Sequence, residues 1–410
     1  MELSGEKLLG IRIKAIDSMF SNTCRYGVLF FSAVAVFLFV GCGQQQPGAG
    51  SGQAAGGAVR IQARTVIKYA RGFRIDYYDR YRDVSIVHLN GGKTDTLHYL
   101  LVERGVEPPA DRPGIPVIIT PVKQFVVQSS AHVALVDFAG VADRITGLGN
   151  FQYLNSPIVR EGIRTGKVKQ TGIDNSVNRE LVISMRPGVL IAMTNPDAAF
   201  GQYKTIIDAG IPVIPDAEWL ETTPLGRAEW VKLIGALVDK EDSVGKKFDN
   251  IEQAYLKLAA IGSQAAVKPS VIVNMPFKGI WYMPAGGNYQ TQFLRDAGAG
   301  YQWMDTKGTT SLPLNFESVA PVALKADYWL NVGYVDSKND LRAKDSRFAA
   351  FLPFQKDAIY NFNKRVNDLG SNDYWESGIV NPQLVLADLI RILHPGLLPQ
   401  DSLYYYKQLK

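Results

Sequence analysis

Asp242 to Ile261, DSVGKKFDNIEQAYLKLAAI, carries the most regular helical pattern in the chain, and similar material lies on either side of it. Val244, Phe248, Ile251, Tyr255, Leu258 and Ile261 recur at steps of three or four, which makes an apolar stripe on a helix of roughly 30 Å. Asp242 or Ser243 can cap its start, and Gly262 can end it. Strand-like and helix-like runs alternate before it and begin to alternate again after it. Periodicity alone suits either a strut between two lobes or a surface helix of one large domain. The weak repetition favours the strut. The expected fold is therefore α/β: two Rossmann-like α/β lobes joined by a single long rigid interlobe helix.

The chain has 410 residues, ample for two cores. Hydrophobic residues at 46% and charged ones at 20% are those of a globular protein. The 44 basic residues against 39 acidic ones leave +5, too small and too dispersed a charge to call for nucleic acid. The amino terminus differs from the rest. Arg25 precedes the apolar run VLFFSAVAVFLFV (Val28 to Val40), which suits a signal peptide and is too short to span a ~30 Å hydrocarbon core comfortably. Leu38-Phe39-Val40-Gly41-Cys42 looks like a bacterial lipobox in which Cys42 is acylated, with Phe39 departing from the usual leucine; an ordinary cleaved signal and an uncleaved anchor are the alternatives. Residues 1–41 are read as the signal peptide, with 1–18 a start-site misassignment because Met19 gives a more usual leader. Residues 42–59, rich in Gly, Gln and Ala, read as a flexible lipidated tether. The only cysteines are Cys24 and Cys42, so the mature body has neither a disulfide framework nor a catalytic thiol.

Residues 60–114 read as amino-terminal strands that extend the first lobe. The first lobe proper is assigned to 115–241, the interlobe helix to 242–261 and the second lobe to 262–410. In the first lobe, KQFVVQSS puts Ser129 and Ser130 between a strand and a helix, where open α/β folds place ligands. Arg179 to Pro187 is a short helix with Asn178 as its cap, and it leads into the strand Val189 to Met193. In the second lobe, SVIVNMP is a strand, Phe277 to Tyr289 (FKGIWYMPAGGNY) a glycine- and aromatic-rich loop, and Phe316 to Lys325 a helix before the strand Asp327 to Asn331.

The motifs VVQSSAHVALVDFAGVADRITGLG, GKVKQTG, RELVISMRPGVLIA, NFESVAPVALKADYWLN and NPQLVLADLIRILHP, in that order over residues 115 to 398, resemble those of the periplasmic substrate-binding proteins of ABC importers that take up iron–siderophore, haem and cobalamin. PLGRAEW and NDYWESGIV resemble the iron-transport lipoproteins of that family. The resemblance implies capture without chemistry: a lipoprotein that binds a ferric siderophore, or alternatively cobalamin or haem, and delivers it to an inner-membrane permease dimer. It implies no cofactor beyond that ligand, no metal ligated by protein residues alone, a monomer, and a lipid-anchored place on the periplasmic side of a bacterial membrane. One glutamate per lobe docks on the permease in that family, and by motif these are Glu180 and Glu317 here. A helix start favours glutamate in any case. The cleft would be lined by Ser129, Ser130, Tyr153, Asn195 and Trp219 from the first lobe and by Lys278, Trp281, Tyr282, Tyr289 and Trp375 from the second, aromatic faces and amides suited to a large chelate. The four histidines, His88, His98, His132 and His394, are too scattered for a bare-metal site. A lipid-anchored α/β hydrolytic enzyme is the alternative of another class, yet the chain has no Gly-x-Ser-x-Gly elbow, Walker loop or HExxH.

Overall fold

The computed structural model describes residues 59–90, 93–173, 176–193, 200–399 and 401–410. Strands β1 (Phe73–Tyr77), β2 (Tyr81–Asn90), β3 (Lys93–Glu103) and β4 (Val117–Thr120) form a sheet in the order 1-2-3-4, antiparallel except for the β3–β4 pair. Alternation sends Phe73, Ile75, Tyr77, Val84, Ile86, Tyr99 and Leu101 into the main core. Tyr81, Leu100 and Val102 face the other way, packed with Val106 and Ile115 of the loop that follows β3. The amino-terminal strands are thus a sheet laid on the first lobe, and the Tyr99 hydroxyl donates to the Val213 carbonyl.

The first lobe runs β5 (Phe125–Val127), α1 (Ser130–Phe138), β6 (Ile145–Leu148), α2 (Pro157–Arg164), β7 (Lys169–Gln170), the small hairpin β8 (Gly172–Ile173) and β9 (Ser176–Val177), α3 (Arg179–Met185), β10 (Val189–Met193), α4 (Lys204–Asp208) and β11 (Val213–Asp216). Its parallel sheet has the order β11-β10-β5-β6-β7. Then come α5 (Pro224–Glu229), α6 (Val231–Leu237) and the long α7 (Glu241–Ser263). The second lobe runs β12 (Ser270–Val273), β13 (Trp281–Pro284), α8 (Tyr289–Asp296), β14 (Gly300–Tyr301), β15 (Ser311–Leu314), α9 (Phe316–Ala323), β16 (Tyr328–Leu330), α10 (Lys338–Lys344), α11 (Leu352–Gln355), β17 (Ile359–Asn361), α12 (Ser377–Val380), α13 (Pro382–Leu393) and β18 (Lys407–Gln408). Its sheet has the order β14-β12-β16-β17-β18, with only the last pair antiparallel.

The two orders are one pattern used twice. With the edge strands β7 and β18 set aside, the first strand of each lobe (β5, β12) has the second (β6, β14) on one side and the third and fourth (β10 and β11, β16 and β17) on the other. Such an order opens a crevice at the carboxyl ends of the first and third strands, where the connections part. In the first lobe this is the edge at Gln128 and Met193, and in the second the edge at Asn274 and Asn331.

Helix α7 buries the expected stripe: Val244, Phe248, Ile251 and Tyr255 are in the core, and Leu258 and Ile261 pack half-buried against it. Its start departs from expectation. Lys240 is the capping residue without a side-chain cap, and Glu241 and Asp242 lie inside the first turn, where they oppose the helix dipole. Gly262 does not end the helix, which continues to Ser263. Two buried glutamates fasten the segment before β1 to α5 and α6. Glu229 accepts the backbone N–H groups of Lys68, Tyr69 and Ala70 together with the Lys232 ammonium, and Glu221 accepts those of Arg71 and Gly72.

Candidate functional site

The helix before the third strand of each lobe opens with the same three-residue pattern. In α3 it is Asn178-Arg179-Glu180, with the Asn178 side chain accepting the Leu181 N–H at 3.0 Å. In α9 it is Asn315-Phe316-Glu317, with the Asn315 side chain accepting the Ser318 N–H at 2.8 Å. An asparagine cap frees the next turn to carry a carboxylate at the positive end of the dipole. Glu180 and Glu317 therefore occupy equivalent, exposed positions on the two lobes.

Ser129 caps α1, its Oγ accepting the His132 N–H at 3.3 Å, and Ser129 and Ser130 are half-buried at the crevice. His132 lies beneath them. Its Nδ1 accepts from the Gln128 N–H at 3.3 Å, which places the ring proton on Nε2, 3.3 Å from the Asp216 carboxylate. Burial, with the nearby Glu218 charge, holds the Asp216 carboxyl well above its usual range. Both ring nitrogens are committed, so this Ser, His and Asp set is a structural brace and offers no base to a serine nucleophile. Gln128 ties the crevice together, since its Oε1 accepts from the Met193 N–H and the Tyr203 hydroxyl.

Tyr153 and Trp219 are half-buried in short helical turns after β6 and β11. Asn195 and Cys42 lie outside the described residues. In the second lobe the expected lining needs correction. Trp281 is fully buried in β13, paired with β15, and its indole N–H donates to the Val273 carbonyl, so it packs the core against Phe316, Trp329 and Phe351 and is no cleft contact. The stretch 277–289 is thus a strand entered by a tight turn and left by the cap of α8. Its glycines and aromatics read as a loop because the partner strand comes 30 residues later. Tyr282 is half-buried, Lys278 exposed, and Tyr289 is only 9% exposed beneath the Arg227 guanidinium, 4.2 Å above its ring.

Arg227 was not singled out by sequence. It is held by Glu218 at the end of the first lobe's sheet and reaches α8 of the second. Glu376, equally unmarked, makes the closest link between the lobes. Its two oxygens accept the backbone N–H groups of Asn155 and Ser156, each at 2.6 Å, while Asn155 Nδ2 donates to Ser371, Asn367 Nδ2 to the Leu154 carbonyl, and Arg160 pairs with Asp368. Burial pushes the Glu376 carboxyl up to about 7 against the pull of those two N–H donors. Trp375, half-buried beside it, packs edge-on against Phe362 and Tyr374. The only signal for this fastening in the sequence is polar density in 367–376; the partners lie more than 200 residues away.

Among the described residues no group of three or more His, Cys, Asp and Glu is placed to hold a metal ion, and no helix is long and apolar enough to cross a membrane. His98 faces Asp83, and His394 faces the Ala297 carbonyl.

Two duplicated parallel α/β units, with crevices at the carboxyl ends of their strands and a carboxylate at matching helix starts, define a two-lobed binding protein. The sequence pattern of the periplasmic binding protein family matches residues 126–347, and the chain belongs to that family. It is 25% identical over 354 residues to an uncharacterized lipoprotein of Methanocaldococcus jannaschii, covering 80% of this chain and 82% of that one. Among solved structures it is similar in fold to a possible iron-binding periplasmic solute-binding protein of Staphylococcus epidermidis (TM-score 0.52, 15% identity, covering 67% of this chain and 100% of that one). It is also similar to the triscatecholate siderophore-binding protein FeuA of Bacillus subtilis in complex with ferri-bacillibactin (TM-score 0.50, 17% identity, covering 74% and 97%). A periplasmic haem-binding protein of Vibrio cholerae gives a TM-score of 0.50 at 16% identity, covering 64% and 99%.

Proposed function

We propose that this protein is the ligand-capturing lipoprotein of an ABC importer, anchored through Cys42 on the periplasmic side of the membrane, that binds a ferric siderophore between its lobes and presents it to an inner-membrane permease. The observation that carries this reading is the repeated Asn-x-Glu helix start, which puts one exposed carboxylate at the same topological place on each lobe. A matched pair of exposed surface charges suits a two-fold permease better than it suits a small ligand. The iron-chelate ligand is supported by the similar structures of a possible iron-binding protein and a triscatecholate siderophore-binding protein. Ser129, Ser130, Tyr153, Trp219, Tyr282 and Trp375 supply half-buried hydroxyl and aromatic surface for it, and Asn195 is assigned to the same lining from sequence.

A thermal-shift screen of residues 60–410 tests the reading, using a ferric tris-catecholate, a ferric hydroxamate, haem, cobalamin and simple metal salts. At a hundredfold excess over the dissociation constant a true ligand adds about 2.7 kcal/mol, and a raised midpoint is expected with a ferric chelate. A shift with haem or cobalamin alone would move the ligand within the family, and a flat response to every compound would contradict the capture role.

A further inference from the structure

Between β17 and α13 the chain of the second lobe crosses to the first. It leaves the sheet after Asn361, and from Asn367 onward its side chains meet the other lobe. Asn367 Nδ2 donates to the Leu154 carbonyl at 2.7 Å, Ser371 Oγ accepts from Asn155 Nδ2 at 2.8 Å, Asp368 pairs with Arg160, and Glu376 accepts the Asn155 and Ser156 N–H groups. α12 then packs on α1 and α5, and the chain returns only with α13, which lies against α7 and α8.

The crossing is held by different forces at its two ends. Toward its own lobe the hold is aromatic: the Phe362 ring stacks on Tyr374 with centroids 4.5 Å apart, and Tyr374 meets Tyr405 and Tyr406 edge-on. Toward the first lobe the hold of 367–376 is polar, and all of it falls on the short stretch 154–160. Parting an apolar contact forfeits its burial, whereas hydrogen-bonding groups that part are taken up by water at small net cost. The root therefore stays while the grip can release. The gripping loop also keeps its shape without its partner. Val366 and Asn372 bridge, Gly370 turns at φ +79°, and Asn367 Oδ1 accepts the N–H groups of Leu369 and Ser371.

We propose that residues 366–376 are a reversible clasp on the stretch 154–160 that sets the resting angle between the lobes and, with it, the affinity for the captured ligand. Helix α7 joins the lobes covalently, and the clasp is a second, releasable connection. Its state reaches the ligand through chain neighbours: Tyr153 and Trp375, both assigned to the lining, stand immediately before Leu154 and Glu376. Glu376 is a positioning residue, acting through the backbone of residues 155 and 156. The effect on affinity rests on the importer reading above, and the effect on the angle does not.

The test places spin labels at Ile207→Cys on α4 and Leu324→Cys just after α9, both exposed, in the full chain in detergent with Cys24→Ser and Cys42→Ser, which leaves no other cysteine. Without chelate the intact clasp should give one narrow distance distribution. Glu376→Ala is expected to widen it about twofold or more. Glu376→Gln, which keeps one good acceptor, should widen it less. Asn367→Asp retains the acceptor that shapes the loop and loses the donor to Leu154, so it should act in the same direction without touching Glu376, and these two milder variants carry the test if Glu376→Ala does not fold. Affinity for a ferric tris-catecholate, read by tryptophan quenching, should fall in the same order, about fivefold or more in Glu376→Ala, because closure is no longer pre-organised. An unchanged distribution in the variants overturns the clasp, and so does a widened one at unchanged affinity, since the angle would then have no hold on capture. If the intact protein does not bind the chelate, that ligand reading fails by itself, and the distance distributions still decide whether 366–376 sets the angle.

Discussion

Gly262 shows how little of a residue's task its own neighbourhood reveals. In the sequence it reads as a helix stop, yet it sits inside α7 at a crossing with the end of α8. A Cβ there would lie 2.1 Å from the Asp296 carbonyl oxygen and 3.1 Å from the Ala297 backbone, and across the contact Gly298, at φ +71°, has no room for one either. Both obstacles are main chain, so no side chain can swing aside. Gly262→Ala gains up to about 1 kcal/mol of helix propensity, and forcing the backbones apart costs about 1–3 kcal/mol or more. We expect a net loss of stability, read as a lower urea midpoint at unchanged slope; a gain would show that α7 and α8 can separate freely. Trp281 is the converse case. Local composition made it a loop residue, and only the distant β15 strand reveals it as core.

At the scale of elements, the legible parts were those whose signal is local. The stripe of α7, the caps Asn178 and Asn315, and the helices that precede β10 and β16 all follow from spacing over a few residues. What could not be read is the segment 367–376, which acts only through residues 154–160 on the other lobe. Its chief side chain titrates in a useful range. Glu376 is 3% exposed, and its carboxyl rises from 4.5 to about 7 on burial, with the nearby charges of Asp373 and Asp137 pushing the same way. A carboxyl raised in the folded state contributes stability that is fully present below about 4.5 and is lost as pH climbs to about 7. The span corresponds to about 3 kcal/mol. The advantage of the unaltered protein over Glu376→Gln should therefore be larger at pH 5 than at pH 7.5, as measured by urea denaturation at each pH. Equal differences at both would mean that water reaches the carboxylate. Amide exchange at Asn155 and Ser156 should be faster in the variant than in the unaltered protein at pH 7.5, because the carboxamide offers one good acceptor where the carboxylate offers two.

At the scale of the whole molecule, the amino-terminal sheet, both parallel sheets and α7 contribute to one continuous apolar core, running from Phe73 to Leu409. The segment that precedes β1 is bound into it by charge. Lys68 reaches Glu252 on α7 at 2.7 Å and the Tyr69 hydroxyl reaches the same carboxylate at 2.6 Å, while the fully buried Glu229 collects three backbone N–H groups and Lys232. Shared core and buried ties make independent unfolding of the sheet or of either lobe unfavourable. Calorimetry of residues 60–410 is accordingly expected to give one transition. Glu229→Ala removes the acceptor of three backbone N–H groups and leaves the buried Lys232 ammonium uncompensated, a loss of about 3–5 kcal/mol, and it should lower that single transition as a whole. If the variant instead splits the transition in two, with the lower part belonging to the amino-terminal sheet, then the ties hold the sheet on as an appendage. A single lowered transition means instead that the amino-terminal sheet belongs to the same cooperative unit as the two lobes.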